Sequence, residues 1–537
     1  MFFETNLSQE RINHEGELGV WPDAILHDTL LEQVQRYPNK AAIIDPRRTL
    51  TFAELADEVD RCARGLLSMG VGRGDVVQIQ LPNWAEFAIT MLAVERIGGV
   101  VNPVAPIFRF NEVKVMSDLA RPVAVVTARD FRGFEYGPLH REVRDSCPWV
   151  RHIVLVDGQG DEPDCRNWVD LLAAGAASPI ESRHLDLLRP APNDVCEVQF
   201  TSGTTGQPKG VMHTQNTLGG PVALMLKQTG KGPDDVFHMA STLAHQTGYL
   251  YGVRAPITGG STVVLQDVWE GARFADLIEE HGITNSMGAT PFLTDLLAVP
   301  GIEDRAIGTF RVFICAGAAI PRPALEAASE KLPCAVLPGW GMTECALFTI
   351  GSVDDPFEKR LTDGRPLAGC EVRVVDESCA PVAPEVEGDL QARGSLMFVG
   401  YIQGRGLTDS CHDADGWFDT GDRAVMDVDG YLRITGRTKD LVIRGGENVP
   451  VKEVEDALIR HPAVANVAIV AKPHDRLGEI GCAFVIPTGE APSLSDLTDL
   501  LARQDVTKQF WPEELVIVNE FPMTPSGKVQ KFKLRES

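Results

Sequence analysis

Two hydrophobic periods take turns along the first half of the chain. Thr29-Leu30-Leu31-Glu32-Gln33-Val34 opens a run of helical period that ends near Pro38, and Ala41-Ala42-Ile43-Ile44-Asp45 follows as a short strand. Thr51 and Glu54 have capping-box spacing, and the apolar positions Leu55, Val59, Cys62, Leu66 and Leu67 continue from them as one face of a long helix. Asp75–Leu81 then alternates as a strand does, and Pro82-Asn83 stops it. The alternation of strand and helix repeats through Val123–Val126, His152–Val156, Ser261–Leu265 and Arg311–Cys315. Such a series predicts an α/β fold with parallel pairing, and in that fold ligands gather beyond the carboxyl ends of the strands.

From about Gly364 the style changes. Glu371–Asp376, Gly388–Arg393 and Tyr431–Thr435 are strand-like and joined by short turns such as Asp427-Val428-Asp429-Gly430, which predicts antiparallel β structure. After Gly436 comes a compact α+β tail. The predicted division is residues 1–436 and 437–537, with the cut between Gly436 and Asp440.

One stretch departs from both periods. Phe200-Thr201-Ser202-Gly203-Thr204-Thr205-Gly206-Gln207-Pro208-Lys209-Gly210 follows the strand-like Asp194–Phe200 and precedes Val211–Thr214 and a helix-compatible run. Glycines let backbone N–H groups turn toward a ligand at close range, hydroxyls add donors, and the lysine adds a mobile positive charge. That chemistry suits a polyphosphate. The Walker A spacing is absent, because Lys209 lies three residues beyond Gly206 and is followed by Gly210.

Composition narrows the field. A chain of 537 residues exceeds what one hydrophobic core supports, so two or more domains are expected. The net charge of -25 disfavours nucleic acid and anionic membrane as partners, so a polyphosphate site must be built locally. The 11 cysteines show neither Cys-x-x-Cys pairs nor zinc spacing, which reads as idle thiols in a reducing compartment. With no signal-peptide pattern and no run of about 18 apolar residues, a cytoplasmic protein without an integral membrane segment is expected.

Beyond the loop, four more motifs follow in order: Gly339-Trp340-Gly341-Met342-Thr343-Glu344, Gly416-Trp417-Phe418-Asp419-Thr420-Gly421-Asp422, Gly436-Arg437-Thr438-Lys439-Asp440 and Pro525-Ser526-Gly527-Lys528. With them the chain resembles, over nearly its whole length, the adenylate-forming superfamily of acyl-CoA synthetases, aryl-acid ligases, luciferases and peptide-synthetase adenylation domains. The resemblance implies a large N-terminal domain of stacked αβ subdomains plus a small β subdomain, and a mobile α+β C-terminal domain. It implies a carboxylate attacking the α-phosphate of ATP, then a thiol, usually of coenzyme A, displacing AMP.

The residue roles come from the same resemblance. Thr201, Ser202, Gly203, Thr204, Thr205, Gly206 and Lys209 would hold the β- and γ-phosphates. Gly317 and Ala318 would admit the adenine, and Trp340, where the family usually has tyrosine, would stack on it beside Gly341 and Met342. Thr343 would touch phosphate, and Thr201 and Glu344 would bind Mg²⁺. Asp422 and Arg437 would take the ribose hydroxyls. Lys528 would bridge carboxylate and α-phosphate, Lys439 would be the hinge, Gly445 and Gly446 would line the thiol tunnel, and His245 would face the acid's carboxylate.

The acid is read from what the pocket segments contain. Ser241-Thr242-Leu243-Ala244 lacks an aspartate to pair an ammonium, which disfavours an α-amino acid. Gly288, Gly317, Gly339 and Gly341 suggest a roomy apolar cavity, and Met287–Pro291 with Arg444–Asn448 looks most like medium-chain or alicyclic acyl-CoA ligases. A medium-chain fatty, cyclohexanecarboxylate-like or aryl acid is expected. Rival readings are loading of a carrier-protein pantetheine, a luciferase-like oxidation and a non-catalytic nucleotide-binding regulator. The oligomeric state stays open, with a homodimer among the expectations.

Overall fold

The capping box at Thr51 forms as its spacing predicts. Glu54 N–H donates to Thr51 Oγ1 at 3.2 Å and Thr51 N–H to Glu54 Oε2 at 2.8 Å. A cap of this kind stabilises a helix by about 1 kcal/mol. The helix runs Phe52–Ser68, and its inward face of Leu55, Val59, Cys62 and Leu66 is fully buried. The coordinates are a computed structural model that describes residues 3–157, 164–201, 208–317, 320–440, 442–444, 447–474, 477–504, 506–524 and 528–536.

Among the described residues, two large sheets carry most of the chain. A seven-stranded sheet has the order Lys209–Thr214, Val195–Thr201, Val100–Pro103, Val76–Gln80, Ala124–Ala128, His152–Val156, Arg166–Asn167. A nine-stranded sheet has Ala335–Met342, Val312–Ala316, Asn285–Gly288, Val236–Met239, Thr262–Leu265 and Ala41–Ile44 as its parallel interior. The expected parallel pairing holds inside both sheets but gives way to antiparallel pairing at one edge of the seven-stranded sheet and both edges of the nine-stranded one. Lys209–Thr214 pairs antiparallel with Val195–Thr201, and Ala346–Ile350 pairs antiparallel with Ala335–Met342. These two hairpins matter, because the phosphate-loop motif and the Thr343-Glu344 turn are their connections.

The predicted antiparallel section is a four-stranded sheet, Cys370–Val375, Gly388–Gly394, Phe418–Met426 and Leu432–Arg437. A short turn at Thr438–Asp440 follows, and a five-stranded sheet begins at Val442–Arg444. That last sheet has its own apolar core, built from Val442, Val454, Leu458, Ile469, Val485, Leu497 and Leu501. None of the eleven cysteines is joined in a disulfide. No described helix is long and apolar enough to cross a membrane.

Candidate functional site

The strand Val195–Thr201 ends at Thr201, and its hairpin partner begins at Lys209. Ser202, Gly203, Thr204, Thr205 and Gly206 lie outside the described residues, as do Ala318, Gly445, Gly446 and the side chain of Lys439. The exit of the loop is braced by a segment not singled out from sequence. Ile402 N–H donates to the Gly210 carbonyl at 2.8 Å, Met212 N–H to the Gly400 carbonyl at 2.9 Å, and Gln403 Nε2 to the Pro208 carbonyl at 2.8 Å.

That segment also delivers Tyr401, whose hydroxyl donates to Glu344 Oε1 at 2.8 Å. Lys209 Nζ sits 5.0 Å from the centre of the Tyr401 ring, within cation–π range. Burial pushes the Glu344 carboxyl above the usual carboxylate range, and the Tyr401 bond, Lys209 and Arg437 only partly oppose it. Glu344 sits in a turn closed by Cys345 N–H on the Met342 carbonyl at 3.1 Å, with Ala346 held at φ 56°. A non-glycine residue in that region is strained and marks a turn fixed by its surroundings. His213, buried and neutral with its pKa pushed down to about 4 by burial, bonds through Nε2 to the Thr343 carbonyl at 2.7 Å.

Among the described residues no three His, Cys, Asp or Glu side chains cluster around a metal position. One buried carboxylate and one hydroxyl, Glu344 and Thr201, are a poor cage for a metal alone. They fit Mg²⁺ that arrives with ATP, since this ion keeps waters and phosphate oxygens and takes one or two carboxylates from the protein.

Asp422 and Arg437 stand opposite each other on adjacent antiparallel strands. Arg437 Nε is 3.0 Å from Asp422 Oδ1, and Trp340 Nε1 donates to Asp422 Oδ2 at 2.8 Å. Trp340 is buried, edge-on to Phe348 with centroids 5.9 Å apart. Where the family usually has tyrosine, the indole therefore supplies an N–H that fixes the carboxylate's orientation. Trp340→Phe keeps an aromatic face and deletes that donor. Losing a bond to a charged group is worth about 1.5 kcal/mol, so KM for ATP should rise about tenfold with KM for the acid nearly unchanged. Steady-state kinetics in each substrate checks this.

The glycines correct one expectation. A Cβ on Gly341 would lie 1.8 Å from the Ala346 carbonyl oxygen, and one on Gly339 2.8 Å from the Thr349 carbonyl oxygen. A Cβ on Gly288 would meet the Phe292 ring at 2.9 Å. These three glycines serve close packing and do not line open space. Only Gly317, at φ 88° with nothing within 4 Å, opens onto a cleft. That narrow cleft is lined by Ser241, Thr242, His245, Thr247, Ala289, Ala316 and Gly317. A larger depression, around Leu325, Cys334, Phe357 and Arg360, contains none of the predicted site residues.

His245 Nδ1 accepts from Thr247 N–H at 3.4 Å, which leaves the ring proton on Nε2. Burial, reinforced by the Lys528 charge, pushes its pKa down to about 3, so the ring is neutral. Lys528 is tied to Thr524: its N–H donates to Thr524 Oγ1 at 3.0 Å, and its carbonyl accepts from Thr524 N–H at 2.7 Å. Burial brings the Lys528 pKa down to about 8, with Arg437 pushing the same way and Asp422 and Glu344 pushing back. The tail thus brings a half-buried ammonium within electrostatic reach of His245, Glu344, Asp422 and Arg437. A mobile cation there is suited to hold two anions together.

Comparison with known proteins meets this geometry at every level. Residues 30–402 match the AMP-binding enzyme family and residues 453–528 the AMP-binding enzyme C-terminal domain. The chain belongs to the adenylate-forming AMP-binding enzymes. It is 32% identical to a medium-chain fatty-acid–CoA ligase of Escherichia coli, across 100% of this chain and 95% of the relative. It is 31% identical to the salicyl-AMP ligase / salicyl-S-ArCP synthetase of Mycobacterium tuberculosis, across 96% of this chain and 90% of the relative. The fold matches ATP-bound MatB from Rhodopseudomonas palustris at a TM-score of 0.86 and 28% identity, covering 96% of this chain and 98% of that one. An AMP-forming, ATP-using ligase of acyl or aryl acids follows from the family.

Proposed function

We propose that this chain is an acid–CoA ligase that acts on a medium-chain fatty, alicyclic or aryl acid. A carboxylate oxygen attacks the α-phosphorus of ATP and the bond to pyrophosphate breaks, giving acyl-AMP. A thiolate then attacks the acyl carbon, and the bond to AMP breaks. The observation that carries the reading is Lys528, enclosed between the cleft's His245 and the nucleotide-side group of Glu344, Asp422 and Arg437.

In this reading Lys528 bridges the two anions as charge builds, and His245 Nε2–H donates to the acid's carboxylate. Asp422, oriented by Trp340, takes the ribose hydroxyls with Arg437. Glu344 and Thr201 hold Mg²⁺, which would neutralise phosphate charge. Lys209 and the glycine-rich loop hold the departing pyrophosphate, and Gly317 with Ala318 admits the adenine. The described lining of the cleft contains no carboxylate. An α-ammonium group would therefore be buried unpaired, which supports the expectation against amino acids.

The tail at 437–537 is proposed to rotate between the two steps about Lys439. Thr438 Oγ1 donates to Asp389 on the antiparallel sheet at 3.0 Å, and Asp440 pairs with Arg535 in the tail at 3.1 Å. The chain changes partners across one residue. The ion pairs that cross between the two parts, Arg433–Glu453 at 3.1 Å and Arg460–Glu326 at 3.2 Å, are largely exposed. Exposed pairs are worth about 0–1 kcal/mol each and yield readily. Rotation would bring Gly445 and Gly446 to the thiol channel.

A pyrophosphate-release screen across acids, followed by product analysis with coenzyme A, tests the proposal. Preference for acetate or an α-amino acid would contradict it. The similarity to a salicyl-S-ArCP synthetase supports a second reading, loading of a carrier-protein pantetheine. Thioester formed with free coenzyme A alone decides against that reading. The pH dependence is a further expectation. Lys528 acts charged, and its pKa in the free enzyme is about 8, so kcat/KM for adenylation should fall as pH rises through about 8. The triphosphate stabilises the ammonium, so the corresponding limb in kcat should lie at higher pH.

A further inference from the structure

The strand Val195–Thr201 hides a second polar layer. Its alternation of apolar and polar residues reads as one buried and one wet face, yet Cys196, Glu197, Val198 and Gln199 are all buried. Glu197 and Gln199 point the same way, as alternate strand residues must. What they meet is the segment that carries His245. Gln199 Nε2 donates to the Ala244 carbonyl at 3.0 Å, and Gln246 Nε2 donates to Glu197 Oε2 at 2.9 Å. One polar side chain thus grips the residue before His245, and the other grips the residue after it.

The layer is short of donors. Glu197 Oε1, Gln199 Oε1 and Gln246 Oε1 are buried with no partner among the described residues. Among the described residues no ion pair to Glu197 forms, although the Arg254 charge is felt there. The nearby Arg254 is fully buried, ion-paired with Glu95, and donates to Gln215 Oε1 at 3.0 Å. Glu95 also accepts from the Tyr249 hydroxyl at 2.8 Å and from Gln215 Nε2 at 2.9 Å, so Glu95 is the main counter-charge of Arg254, whose buried Nε is left without a hydrogen-bond partner among the described residues. A second buried carboxylate beside this pair would share one cation with Glu95 and be only partly compensated. A carboxylic acid would carry no charge and would supply one of the missing donors.

We propose that Glu197, as the neutral acid, and Gln199 are positioning residues for the acid-binding half of the reaction. Acting through Gln246 and the Ala244 carbonyl, they hold His245 at the end of the cleft that faces Lys528. Because Thr201 ends the same strand, the nucleotide clamp and the acid cleft are set by one rigid element. Burial pushes the Glu197 pKa up to about 8, with Arg254 and the Gln246 bond opposing and Glu95 reinforcing; Cys196 and Tyr249 are the other titratable groups coupled to it. Ionisation above that pH would place a bare charge in the layer and loosen the His245 segment.

This inference rests on His245 lying at the carboxylate end of the cleft, so the test uses whichever acid wild type turns over fastest with AMP formation. Pyrophosphate release is measured for wild type, Glu197→Gln, Glu197→Ala and Gln199→Leu, varying acid and ATP separately. Glu197→Ala and Gln199→Leu should each raise KM for the acid about tenfold, a loss of about 1.4 kcal/mol in binding, and leave KM for ATP nearly unchanged. Glu197→Gln, which keeps a neutral hydrogen-bonding group, should restore the acid KM at pH 7 and remove part of its rise between pH 7 and 9. Lys528 is common to both proteins, so its titration cancels in that comparison. Equal changes in both KM values, or none, would overturn the proposal. If the alanine and leucine variants do not fold, identical pH profiles for wild type and Glu197→Gln overturn it instead. Wild type that makes no AMP from any acid sinks the underlying reading of the site.

Discussion

Lys528→Ala is expected to abolish adenylation, with a loss of at least about 10²-fold in pyrophosphate release, the scale for removing one preorganised charge-stabilising donor. Thioester formation from preformed acyl-adenylate should survive largely intact. The asymmetry follows from where the ammonium acts. In the first step two anions must meet, and Lys528 is half-buried near them, with Glu344 and Asp422 as the carboxylates that raise its pKa. In the proposed second step a thiolate attacks an acyl carbon after the tail would have turned. Single-turnover assays of each half-reaction check this, and equal loss in both would contradict a rotating tail.

Glu344→Gln should cost about as much, on the order of 10²-fold in kcat, but by another route. The Tyr401 bond at 2.8 Å can persist with an amide, so the turn should stay folded. What disappears is the negative oxygen for Mg²⁺. Glu344 now lies above the usual carboxylate range because it is buried. A divalent cation reverses that balance by favouring the ionised form. The variant should therefore need a much higher magnesium concentration for half-maximal rate, while its thermal stability without magnesium stays near that of wild type. Magnesium titrations of pyrophosphate release separate this from a folding defect.

Much of the scaffold was legible because local chemistry and tertiary structure agree. Thr51 and Glu54 cap the helix their spacing predicted, and Val312–Ala316 and His152–Val156 are the buried strands their apolar runs suggested. The motif residues Lys528, Glu344, Asp422 and Arg437, far apart in sequence, share one electrostatic neighbourhood.

What stayed hidden depends on contacts between distant residues. Nothing local says that Trp340 donates to a carboxylate 82 positions away, or that Tyr401 reaches Glu344 across 57. Glu197 and Gln199 were obscured for a different reason: alternation normally marks a half-exposed strand, and here both faces are covered. The glycines misled because a missing side chain can mean room for a ligand or room for backbone. Gly339 and Gly341 admit the neighbouring strand, and only Gly317 opens on the cleft.

The central claim is that a carboxylate is activated at the α-phosphate of ATP. Protein, ATP, magnesium and a panel of octanoate, cyclohexanecarboxylate and benzoate, incubated without any thiol, test it most directly by nucleotide and phosphate analysis. The account predicts pyrophosphate together with enzyme-bound acyl-adenylate, and free AMP with thioester once coenzyme A is added. ADP and orthophosphate as the acid-dependent products would contradict it.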